Sequence, residues 1–104
     1  MKIPKSIKVG GKVYMVKFPY EFRETEILCG QSCHDINEIR VSGISPSSHK
    51  PRARENVEEV FIHELLHSVD CVYNALKLSK DEEQLDRLAQ GLYQVLKDAD
   101  MLKD

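Results

Sequence analysis

Residues 63–67 read His-Glu-Leu-Leu-His in the middle of the stretch 53–76, whose apolar residues recur at helical spacing. With Val57 at 0° and about 100° per residue, Val57, Phe61, Leu65, Val69, Val72, Ala75 and Leu76 share an arc of about 120°. His63, His67, Asp70 and Asn74 fall between about 220° and 280° on the same wheel, a polar stripe set apart from that arc. The pattern predicts a long helix with one face in a core and another face presenting two imidazoles. A solvated helix face that holds two histidines by accident is the bland alternative. The flanking segments VFI and SVDCV are too apolar for a surface stretch, which argues against it.

The rest of the chain has to supply the layer that covers this helix. With 104 residues there is room for one domain. Residues 6–9 and 12–18 flank Gly10-Gly11, a hairpin signal, and 12–18 alternates β-branched and aromatic residues. Residues 26–33 and 38–41 read as further strands, with Gly30 marking a bulge or a close backbone approach. Residues 42–52 form a polar loop with two prolines. A second helix is expected over about 80–101, with Ser79 as N-cap and Leu85, Leu88, Ala89, Leu92, Val95, Leu96 and Ala99 on its core face. The expected fold is α+β: a small antiparallel sheet, with strands within about 6–42, packed on the 53–76 helix and a C-terminal helix.

Charge and composition narrow the function. Net charge is −2, but residues 1–54 hold 10 basic against 5 acidic side chains, and 55–104 hold 5 basic against 12 acidic. The only basic cluster, His49, Lys50, Arg52 and Arg54, is a short loop without interleaved aromatics, so no nucleic-acid partner is expected. No apolar run approaches the roughly 18 residues of a membrane span, so no membrane partner is expected either. The start, MKIPKSIKVGGK, lacks the apolar segment of a signal peptide. Cys29, Cys33 and Cys71 are odd in number, which together with that start suggests reduced thiols and a cytoplasmic location. The oligomeric state is left open.

The chemistry follows from HELLH. A spacing of four sets His63 and His67 about 40° apart and about 6 Å along the axis, so both rings can reach one Zn²⁺. Glu64, about 100° around from His63, is placed to work on a water in the open position of that ion as a general base. A third ligand should come from the next helix. Glu82 flanks its apolar face and is the best candidate, while Glu83 points away and suits an ion pair with Arg87. Asp86 suits the outer ring N–H of a ligating histidine, and Asp70 a similar supporting or structural role. Glu82 has a rival reading, because Ser79-Lys80-Asp81-Glu82 has the form of a capping box. The segment Cys29 to His34 matches no common zinc spacing and reads as half-buried thiols.

HELLH followed by Glu82 and Asp86 on the next helix resembles the gluzincin class of zinc metallopeptidases. Together with the strands ahead of HELLH and the stretch EEQLDRLAQGLYQVL, it is similar to its minimal members, the minigluzincins and the ImmA/IrrE-like metallopeptidases. The resemblance spans about 8–96. It implies one zinc per chain held by His63, His67 and Glu82, Glu64 as catalytic base, and an intracellular endopeptidase acting on protein or peptide substrates, often of phage or mobile-element origin. The chain is shorter ahead of the sheet than ImmA-type proteins. Tyr73 and Tyr93 are the nearest candidates for an oxyanion stabiliser, and both suit packing better. The alternative expectation is an inactive or regulatory zinc-binding module, with the 97–104 tail across the cleft.

Overall fold

The computed structural model describes residues 1–23 and 28–103. Its elements are β1 (Ser6–Val9), β2 (Lys12–Lys17), β3 (Gly30–Cys33), β4 (Glu38–Val41), α1 (Arg54–Asn74) and α2 (Glu82–Asp98). The α+β class is as expected. Residues 26 and 27, expected to open the third strand, lie outside the described residues.

The sheet order is β1-β2-β4-β3. β1 and β2 form an antiparallel hairpin, with Gly10 supplying the positive φ of 61° its turn requires. β3 and β4 form a second antiparallel hairpin. The join between them corrects the all-antiparallel expectation, because β2 and β4 run parallel. The reason lies in side-chain content. Ile39 and Val41 of β4 are wholly buried and take an interior position, whereas Gly-Gln-Ser-Cys of β3 suits an edge.

Register then decides what meets α1. Ser32 pairs with Ile39 and Gly30 with Val41, so both small residues share the inner face. A Cβ on Gly30 would lie 2.5 Å from Val60 Cγ1 and 2.9 Å from Glu64 Oε2. Gly30 therefore marks a close approach of strand to helix rather than a bulge. On the inner face Val9, Tyr14, Val16, Ile39 and Val41 join Val57, Phe61 and Ile62 of α1 in the core. The outer face leaves Val13 and Met15 exposed.

α1 is the middle layer, with strands on one side and α2 on the other. It ends where Ala75 enters the left-handed region and caps back onto the Asp70 carbonyl. α2 differs from expectation. It buries Leu85, Ala89 and Tyr93 and leaves Leu88, Leu92 and Val95 exposed. The helix is turned by about 60° from the expected orientation. A buried polar pair sets that turn: Tyr93 Oη donates to Glu58 Oε1 at 2.8 Å. Burial, followed by this hydrogen bond, pushes the Tyr93 hydroxyl up to about 12. The same turn brings Glu82 and Asp86 round to α1.

Residues 99–103 do not lie across the histidines. They follow the end of α2 where Lys97 pairs with Glu55, about 24 Å of helix away from Glu82. Among the described residues no helix is long and apolar enough to cross a membrane.

Candidate metal centre

α1 supplies two imidazoles and the first turn of α2 supplies a carboxylate. His63 Nε2 lies 2.5 Å from Glu82 Oε1, and His67 Nε2 lies 3.0 Å from Glu82 Oε2. One ligand atom from each of the three residues lies within 4.8 Å of the others. Tetrahedral zinc at about 2.0–2.1 Å from each ligand wants separations of about 3.3 Å, so the geometry is within small side-chain adjustments of that ion. The histidine side chains are 14% exposed and that of Glu82 62%, so the group opens to solvent on its carboxylate side.

The outer ring nitrogens are both occupied. His63 Nδ1 lies 2.9 Å from Asp86 Oδ1, a carboxylate that accepts its proton. His67 Nδ1 lies 2.9 Å from Ser79 Oγ. The single Ser79 hydroxyl proton goes to Asp70 Oδ2 at 2.6 Å, so Ser79 must accept from His67. Both rings thus carry a proton on Nδ1, and both Nε2 atoms face Glu82. Lone pairs and a carboxylate so placed repel unless positive charge lies between them. A divalent cation there would relieve that repulsion, and the N, N, O donor set suits zinc.

Asp70 anchors the turn between the helices. It is buried, and accepts from Ser79 N and Oγ at 2.6 Å each, Leu78 N at 3.2 Å and Asn74 Nδ2 at 2.7 Å. Burial alone would raise its carboxyl, but these donors outweigh it and hold the group at about 2. Asp70 touches neither histidine and acts through Ser79.

Ser79 is not the N-cap. Asp81 is, accepting from Gln84 N at 3.0 Å. Because Ser79 N–H is spent on Asp70, the rival capping box does not form, and Glu82 faces the histidines. Glu83 pairs with Arg87 on the exposed side.

Glu64 is buried, with Oε2 4.0 Å from His63 Nε2. Its other oxygen, Oε1, accepts from Ser32 Oγ at 2.9 Å, reaching across from β3. Burial raises the Glu64 carboxyl, and the Ser32 hydrogen bond partly opposes this. Of the tyrosines, Tyr93 is committed to Glu58 and Tyr73 is exposed beside Gly10. The cysteines are free and half-buried.

Ser32 and Ser79 are the residues that sequence reasoning missed in these roles. Neither has a local signal for it. Ser32 meets Glu64 only once β3 is the edge beside α1, and Ser79 meets His67 only once the inter-helix turn closes on Asp70. Compared with known proteins, the chain significantly matches no family model, no curated protein and no solved structure.

Proposed function

We propose that the protein is a zinc-dependent peptidase, with one ion held by His63, His67 and Glu82 and with Glu64 as general base. The observation that carries the reading is the pair of Nδ1-anchored imidazoles whose Nε2 atoms converge on one carboxylate. A bound zinc would supply Lewis acidity, polarising a scissile carbonyl and acidifying water. Glu64, raised by burial, would serve as the base that accepts a proton from the attacking water and passes it to the leaving amine. Ser32 fixes one carboxylate oxygen and leaves the other toward the histidines. An extended peptide is the natural substrate, because β3 is an edge strand beside Glu64 and can take a further strand.

A second reading, a zinc-binding module without turnover, is favoured by the position of the group outside the grooves found on the surface. Among the described residues, two grooves share Tyr20, Phe22 and Leu28 in their lining, and neither includes His63 or His67.

Metal analysis with a cleavage assay on an unfolded protein tests both. The peptidase reading expects one zinc per chain, zinc loss in Glu82→Ala, and cleavage that Glu64→Gln abolishes while keeping its zinc. Zinc without cleavage leaves the second reading. A wild-type chain that neither retains nor binds zinc overturns both.

A further inference from the structure

Among the described residues, α2 carries an apolar stripe that the rest of the fold does not cover. Leu88, Leu92 and Val95 of α2 are 51%, 41% and 57% exposed, and they follow one another at helical spacing. Ala99, also exposed, continues the row at the helix end. The spacing of four, three and four is that of a two-helix seam. On the α2 wheel the stripe lies at about 220–280°, with Glu82 at 0° and Asp86 at about 40°, so it is on the flank away from the metal group. The stripe therefore stands apart from the His63, His67 and Glu82 group.

We propose that this stripe is the interface of a two-fold dimer, in which α2 packs antiparallel on α2 of a second copy. The stripe is complementary to itself in that direction. Setting Leu92 opposite Val95 of the second copy also sets Leu88 opposite Ala99, and symmetry repeats both pairs.

The flanking charges support that partner and that direction. Arg87 and Asp98 lie on the same side of the stripe, at about 140° and 160°. An antiparallel arrangement brings same-side flanks together, so Arg87 comes within reach of Asp98 of the second copy, twice per dimer. A parallel pairing would not bring these two flanks together. Among the described residues, Arg87 and Asp98 pair with exposed neighbours four residues away, Glu83 and Gln94, and can turn to a partner at little cost.

Gly91 is a second, independent indication. It sits mid-helix on this flank, where glycine weakens an exposed helix relative to alanine. A Cβ there would meet nothing within 4 Å, so no contact within the chain requires its absence. A second helix crossing at this point would use the bare backbone for close approach, and would open the path from Arg87 to Asp98 of the second copy.

Sedimentation equilibrium over about 10 µM to 1 mM reads the outcome, a range suited to a small interface. The expected mass rises with concentration from 11.9 kDa toward twice that value. Leu92→Glu should hold it at one chain. Arg87→Asp and Asp98→Arg should each weaken association about tenfold, and the double exchange should recover most of the loss. All three substitutions are at exposed positions, and circular dichroism checks that the variants remain folded. A one-chain mass for the wild type throughout overturns the proposal. So does a dimer insensitive to Leu92→Glu, or charge exchanges that fail to compensate, since each places any association on another surface.

Discussion

Ser79 Oγ accepts the Nδ1 proton of His67 at 2.9 Å while giving its own proton to Asp70 at 2.6 Å. A buried carboxylate thus orients a ring it does not touch. Groups that orient a metal-ligating histidine typically contribute about 10–100-fold in affinity. Ser79→Ala is therefore expected to weaken zinc binding by about that factor, read by competition with a chromophoric chelator. Ser79→Thr keeps the hydroxyl and should recover most of the loss. Equal affinity in wild type and Ser79→Ala would remove the relay.

The same carboxylate makes stability depend on acid. Asp70 is held at about 2 in the folded chain against an ordinary value of 3.8. A depressed carboxyl stabilises the fold above its unfolded value, and that contribution is lost as pH falls through the folded one. Urea midpoints should therefore drop between about pH 4 and pH 2. Asp70→Asn should lower stability at neutral pH and flatten that part of the profile. A variant whose profile keeps the wild-type slope in this window would place the acid sensitivity elsewhere.

Much of this site was legible in the chain, for a physical reason. HELLH, Glu82 and Asp86 are spaced by helix geometry, and helix geometry is local, so the stripe on α1 and the flank of α2 could be placed before any packing was known. The orientation of α2 could not. Its apolar residues occupy a wider arc than α1 can cover, and the choice among them was made by Tyr93 reaching Glu58, a contact between distant segments. The parallel join of β2 to β4 was missed for the same reason. Alternation locates β2 and β4, but the preference of Ile39 and Val41 for the interior, which sets β4 parallel beside β2, is a tertiary decision. Gly30 was legible as an oddity, and only the register showed that it faces Glu64.

That position offers a direct test of the strand-to-helix fit. A methyl group at residue 30 would sit 2.5 Å from Val60 Cγ1 and 2.9 Å from Glu64 Oε2, so strand or helix must move. Overpacking of this kind costs about 1–3 kcal/mol. Gly30→Ala is expected to lower the urea-derived stability by that amount, and Val60→Ala in the same chain should recover part of it by making room. Gly91→Ala, where the new methyl meets nothing within the chain, serves as the control and should not destabilise the monomer. Equal effects at the two positions would mean that β3 does not approach α1 this closely.

Ser32 separates the chemistry of Glu64 from the hold on the ion. Its hydroxyl donates to Glu64 Oε1 at 2.9 Å and is also 2.9 Å from the Glu64 carbonyl, while neither it nor β3 supplies a ligand in the group of His63, His67 and Glu82. Removing the hydroxyl frees a buried carboxylate to rotate, and misplacement of a catalytic group by about 1 Å can cost up to 100-fold in rate. Ser32→Ala is therefore expected to lower kcat by about 10–100-fold on any peptide the wild type cleaves, with zinc affinity unchanged and KM little altered. Ser32→Thr keeps the donor and should retain more of the rate, provided β3 accommodates the extra methyl. Loss of zinc in Ser32→Ala would instead show that β3 supports the ion itself, and an unchanged kcat would show that Glu64 is held in place by burial alone.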